Sequence, residues 1–208
     1  MARPRSDIQT RVLHKARERF LMEGVDGASL RRIAGDAGTS IGMVYYYFPT
    51  KDDLFLAVVE EVYQGVLTDL IQALDPAEPV EERIRRLYTR VSRLSDEERM
   101  VVRLVLREAL VSSARLDSIV ERFQRGHLPL MIRLIGDGLA DGTFDRSYPP
   151  LFLILSMMAL GGPGQLIHRA LEHRSPFPPP GDGVPTPERM LRILLNGVGG
   201  KTSTGDGS

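Results

Sequence analysis

Residues Ser29 to Lys51 read SLRRIAGDAGTSIGMVYYYFPTK, and the order of capping, small and apolar residues in them decides the fold. Ser29 is a helix cap, a side-chain oxygen placed to accept from an orphan N–H. Leu30, Ile33, Ala34 and Ala37 follow at i, i+3, i+4 and i+7, one apolar helix face. Gly38 supplies the left-handed residue that ends this helix. Thr39 or Ser40 caps a second helix, Val44 and Phe48 point it into a core, and Pro49 stops it. Two short helices joined through a glycine cross steeply and push the second one outward, where it can enter a groove.

Two departures from ordinary helix chemistry point to nucleic acid. Arg31 and Arg32 stand in the first turn of the first helix, where each cation opposes the helix dipole by ~0.3–1 kcal/mol. A nearby phosphate reverses that cost. Tyr45, Tyr46 and Tyr47 are consecutive, and at ~100° per residue they sweep too wide an arc for one buried face. At least one hydroxyl is therefore expected in solvent, free for phosphate or base. A solvated basic turn and aromatic packing are the plain alternatives for each feature alone. Within a helix-turn-helix frame the two together favour DNA.

The pattern resembles the TetR family of bacterial transcriptional regulators. Ser29, Ile33, Ala34, Ala37, Gly38, Thr39, Ser40, Gly42, Val44, Tyr45, Phe48, Lys51, Leu54 and Phe55 carry the resemblance, which spans roughly residues 6 to 66. It implies that Ser40 to Phe48 is a recognition helix in the major groove. Thr39, Ser40, Gly42, Tyr46 and Tyr47 would lie nearest the bases, Tyr45 and Lys51 would hold phosphates, and Ser29 would cap its helix and touch one. Arg31 joins this set on its own chemistry. Tyr47 and Ile41 depart from common family choices. Ile41 either meets a thymine methyl or packs.

The formal net charge is zero, 27 Lys plus Arg against 27 Asp plus Glu in 208 residues, so DNA affinity must come from a local patch. Residues 1–20 hold Arg3, Arg5, Arg11, Lys15, Arg17 and Arg19 against Asp7 and Glu18, which puts basic charge at the reading end. Arg3 and Arg5 form either a short DNA-touching arm or a frayed terminus. The absence of cysteine excludes disulfides and thiolate chemistry. No signal-peptide pattern opens the sequence, and the longest apolar run, Leu151 to Leu160, is too short to span a bilayer. The expectation is a cytoplasmic protein.

The expected fold is all-α with about nine helices. A three-helix helix-turn-helix domain over 1–50 (motif 29–48) precedes a helical effector-binding and dimerisation domain over 51–198 and a disordered tail over 199–208. A capping box at Ser6 to Gln9 starts the first helix, whose apolar stripe is Ile8, Val12, Ala16 and Phe20, and Gly24 ends it. Thr50 with Asp53 starts a long helix to about Leu74. Helices follow at about 80–94, 97–114, 116–141 and 151–172. The last of these is interrupted by Gly161-Gly162-Pro163-Gly164, a hinge or close crossing. The proline-rich stretch 175–187 is a loop, and Thr186 caps a final helix over 187–198. Met190, Leu191, Ile193, Leu194, Leu195 and Val198 wrap too much of that helix for a monomer. The resemblance implies that helices 151–172 and 187–198 form a four-helix homodimer interface, and that residues 80–172 bind a small, mostly apolar effector.

Glu108 falls between Val101, Leu104, Val105 and Val111, while Arg99, Arg103 and Arg107 form a wet stripe. A buried carboxylate must be paired or protonated. It either faces a ligand cavity or holds an arginine such as Arg133 or Arg90. Phe123, His127, Met131 and Met158 are further candidate ligand contacts, each equally readable as core or surface. Met157 joins them as a pocket or core methionine.

Enzyme chemistry lacks a footing. His14, His127, His168 and His173 form no metal-binding pair, and no nucleophile elbow or phosphate loop is present. His168 and Glu172 read as a surface pair. No catalytic residue, metal or cofactor is expected. The partners expected are an operator duplex, a second copy and a small effector. The sequence thus reads as a repressor that leaves a palindromic operator when its effector binds. The alternative is a DNA-bound regulator answering to a protein partner, and a helical enzyme ranks below both.

Overall fold

The computed structural model describes residues 7–161 and 187–196. All ten elements in them are helices: α1 (Asp7–Gly27), α2 (Leu30–Asp36), α3 (Ile41–Tyr47), α4 (Lys51–Ala73), α5 (Val80–Ser92), α6 (Asp96–Val111), α7 (Ser113–Gln124), α8 (Leu128–Ala140), α9 (Pro150–Gly161) and α10 (Pro187–Asn196). The expectations for Arg3, Arg5, Ser6, Pro163, His168, Glu172, His173, Thr186, Val198, the 175–186 loop and the 199–208 tail lie outside the described residues.

The chain divides into two compact units, residues 1–68 with 95–126, and residues 69–94 with 127–208. They do not follow chain order, since α6 and α7 pack with the N-terminal helices. In the first unit α1 lies against α2, α3 and α6, and α6 against α7. Val12, Leu13, Ala16 and Phe20 of α1 are sealed with Ile33, Val44, Leu54, Phe55, Val58, Leu104 and Ile119 into one core. Phe20 and Phe55 meet edge to face at 6.4 Å. Gly24 breaks α1 at φ +80°, a left-handed conformation natural to glycine. A last turn then tucks Val25 inside.

Local sequence rules account for the other ends. Thr50 and Asp53 start α4 reciprocally: the Asp53 carboxylate accepts from Thr50 N at 2.9 Å, and Thr50 Oγ1 accepts from Asp53 N at 3.0 Å. Ser95 and Glu98 form a capping box on α6. Ser112 alone joins α6 to α7, its hydroxyl accepting from Arg115 N at 3.3 Å.

One expected helix is two. The span 116–141 breaks at Arg125–His127, giving α7 and α8. Pro129 falls in the first turn of α8, where its missing N–H costs nothing. Gly126 lets the connection pass the Tyr63 hydroxyl, which any Cβ there would strike.

In the second unit α5 packs on α8, α9 and α10. Ile84, Tyr88, Met131, Leu134, Ile135, Leu153, Met157, Met190 and Leu191 are buried in it. Arg83 is buried too, and its guanidinium donates to Asp137 at 2.6 Å. Arg90 binds Asp69 at 2.7 Å. No described helix is long and apolar enough to cross a membrane.

Candidate nucleic-acid interface

The candidate interface is built from α2, a glycine turn and α3. Ser29 caps α2, its hydroxyl accepting from Arg32 N at 3.5 Å. Gly38 turns the chain at φ +64°. Its N–H reaches Gly35 O at 3.0 Å, and Thr39 N reaches Ala34 O at 3.0 Å. These bonds satisfy carbonyls that the helix end leaves open. Ser40, rather than Thr39, then caps α3 by accepting from Met43 N at 3.3 Å.

Burial divides α3 into two faces. Val44 and Phe48 are buried, and Ile41 and Tyr47 are half-buried against the same core. Ile41 thus packs. Gly42 is exposed, as are Tyr45 (48%) and Tyr46 (76%). Tyr46 meets the Tyr47 ring edge to face at 5.1 Å, and Tyr47 leans on Phe48 at 6.3 Å. Thr39 and Ser40 stand at the end of this face. A seven-residue helix therefore presents two phenols, a hydroxyl end and one bare backbone position outward. The hydroxyls donate and accept, and the bare glycine permits close approach.

The described cations near this surface differ in their partners. The described cations of the basic N-terminal stretch are engaged within the protein. Arg11 donates to Asp7 and, through Nε, to Ala37 O at 3.0 Å. Lys15 binds Glu18 at 2.9 Å. Arg17 binds Glu97, and Arg19 binds both Glu23 and Asp36 at 2.8 Å. Arg11 and Arg19 thereby stitch α1 to the C-terminal end of α2. Arg31 and Arg32 are exposed and have no acidic partner among the described residues. Lys51 is half-buried and donates from Nζ to Asp26 O at 2.9 Å.

Glu108 is 2% exposed, as its place in the apolar arc required. Its partners are not Arg133 or Arg90. It accepts from Arg115 Nη1 at 2.8 Å, Arg107 Nε at 3.1 Å and Val25 N at 3.3 Å. Arg107 consequently leaves the wet stripe and reaches the carbonyls of Phe20 and Leu21. Arg115 had no sequence signal beyond its charge.

The remaining ligand candidates are dispersed. Phe123 packs on Tyr63 at 5.8 Å and, with Leu56, Val59, Ile119 and Arg122, lines a groove of about 390 Å³ between α4 and α7. His127 opens α8, and burial holds its imidazole below the ordinary value. Met131 is buried in the second unit, and Met158 is exposed on α9. A second groove, about 620 Å³, runs between α9 and α10 past Phe152, Leu153, Leu160, Ile193 and Leu194. Tyr88, which the sequence did not single out, is buried with a hydroxyl that has no hydrogen-bond partner among the described residues. Among those residues no three metal-binding side chains gather.

The sequence model described as bacterial regulatory proteins, tetR family, matches residues 12–58. The uncharacterized HTH-type transcriptional regulator YhgD of Bacillus subtilis is 20% identical over 157 residues, covering 73% of this chain and 80% of that protein. The nucleoid occlusion factor SlmA of Vibrio campbellii is 27% identical over 146 residues, 68% of this chain and 73% of that one. Among solved structures, the transcriptional regulator FadR of Bacillus subtilis in complex with stearoyl-CoA superposes with a TM-score of 0.71. It is 16% identical and covers 91% of this chain and 99% of that one.

Proposed function

Because the chain belongs to the tetR family of bacterial regulatory proteins, DNA-binding regulators of transcription, we propose that it is a homodimeric repressor on a palindromic operator. A small, mostly apolar effector releases it. The observation that carries the reading is the outer face of α3, where Gly42, Tyr45 and Tyr46 stand exposed, together with Arg31 and Arg32, exposed in the first turn of α2 with no acidic partner among the described residues. In this reading Ser29, Arg31, Tyr45 and Lys51 hold phosphates, and Thr39, Ser40, Gly42, Tyr46 and Tyr47 face the bases. Residues 1–50 act as the reader, 51–198 as the effector and dimer domain.

The need for a second copy is physical. A helix of seven residues reads only a few base pairs, and a two-fold dimer places two such helices one turn of DNA apart. Leu151, Phe152, Leu155 and Met158 of α9 and Ile193 of α10 are exposed, an apolar strip that a partner would cover. Within the second unit, His127 and the buried Met131 are the proposed effector contacts. The orphan Tyr88 hydroxyl adds one polar group for an effector to satisfy. Glu108 is spent on its arginines. A second reading, control by a protein partner, draws on Leu110 and Val111, which lie 89% and 66% exposed at the end of α6.

The test is binding to the DNA that flanks the protein's own gene, titrated with salt against a scrambled duplex. Selective binding that is reversed by compounds from a panel of small apolar acids, esters and aromatics supports the reading. Equal affinity for both duplexes counts against it.

A further inference from the structure

Arg115, the third residue of α7, is 7% exposed and gathers three carboxylates. Nη1 donates to Glu108 at 2.8 Å, Nε donates to Asp52 Oδ1 at 2.9 Å, and the two terminal nitrogens hold both oxygens of Asp26. Lys51 adds a bond to the Asp26 carbonyl at 2.9 Å. The placement of the three acids matters. Asp26 lies just before the Ser29 cap, and Asp52 lies in the first turn of α4, just after Phe48. One guanidinium therefore holds both ends of the helix-turn-helix, while Glu108 anchors it to α6.

Stability alone explains this poorly. A buried ion network is often no more stabilising than apolar packing of the same volume, because desolvation offsets the attraction. A planar guanidinium with a fixed fork of donors does something that apolar contact cannot. It fixes direction as well as distance. Of the three acids only Glu108 is buried; the Asp26 and Asp52 side chains are 72% and 54% exposed, so the arginine carries both from a buried pivot.

We propose that Arg115 is a positioning residue for sequence recognition: by clamping Asp26 and Asp52 it sets the angle at which α3 is presented to DNA. The inference rests on α3 being the reader. It assigns the selectivity of that reader to a side chain that never touches the duplex.

The test uses the full-length protein and two probes, a duplex enriched by the unaltered chain from a random-sequence library and a scrambled version of it. Asp52→Asn is the gentler variant, since it removes one arm, buries no unpaired charge and leaves a side chain of the same shape. Arg115→Met removes the pivot. Affinity for the enriched duplex should fall about tenfold in Arg115→Met and severalfold in Asp52→Asn. Affinity for the scrambled duplex should fall much less than tenfold in Arg115→Met, which deletes a positive charge, and should hold or rise in Asp52→Asn, which deletes a negative one. Combining the two should cost no more than Arg115→Met alone. A charge effect without positioning would raise both affinities in Asp52→Asn, and that result overturns the proposal. So does a lowered melting temperature with an unchanged affinity ratio. Failure of the unaltered chain to enrich any duplex would instead bring down the DNA reading itself, and this inference with it.

Discussion

Tyr46 stands 76% exposed on a helix whose opposite face is sealed, so its phenol contributes little to folding. Tyr46→Ala should weaken binding to the selected duplex by ~1–3 kcal/mol while leaving the unfolding midpoint nearly unchanged. Fluorescence anisotropy and urea unfolding on one preparation check both halves. Asp26 offers a second residue-level test. Its bond to Arg115 holds the carboxyl below its ordinary 3.8. A depressed carboxyl contributes stability that is present above the ordinary value and lost as pH falls through the lowered one. Arg115→Met should therefore move the Asp26 titration upward, measured by carboxyl NMR, and remove that part of the acid sensitivity. Ser29, Gly38, Val44 and Phe48 were legible in the sequence because caps, left-handed turns and four-residue spacing are local rules. The burial of Glu108 was legible for the same reason. Its partner Arg115 was not: which arginine answers a buried acid depends on how the α6–α7 joint at Ser112 folds back, and no spacing rule encodes that.

At the scale of elements, strong local punctuation placed the helix starts at Thr50–Asp53 and Val80 and the turn at Gly38. The join between α7 and α8 was missed because Ile119, Phe123 and Met131 keep apolar spacing straight across it. What separates the helices is a tertiary contact. Gly126 passes the buried Tyr63 ring so closely that a Cβ would collide with its hydroxyl. Gly126→Ala should cost ~1–3 kcal/mol through overpacking, read as a lowered urea midpoint. Wild-type stability in that variant would mean the Tyr63 ring yields freely. The partners of the basic stretch of α1 were illegible for a related reason. Composition counts charges, whereas Arg11, Arg17 and Arg19 are spent bracing α1 against Ala37, Glu97 and Asp36. Arg31 and Arg32, in the first turn of α2, are exposed and have no acidic partner among the described residues.

For the whole molecule, a formal net charge of zero means that no general attraction to polyanions drives binding. On the proposed reading, selectivity comes from two copies of a small reader. Leu155 is exposed in the apolar strip of α9. Leu155→Glu should shift the protein toward monomer in analytical ultracentrifugation and reduce operator affinity together with it, since each half-site alone binds weakly. Monomer formation with full affinity would place the dimer contact elsewhere.

The most direct test of the central claim is selection of duplexes from a random-sequence library by the full-length protein. The account predicts an enriched inverted repeat whose half-site centres lie about 10 base pairs, or about 34 Å, apart or a multiple of that. A library left without any enriched motif, or a single unpaired motif bound by one copy, would contradict it.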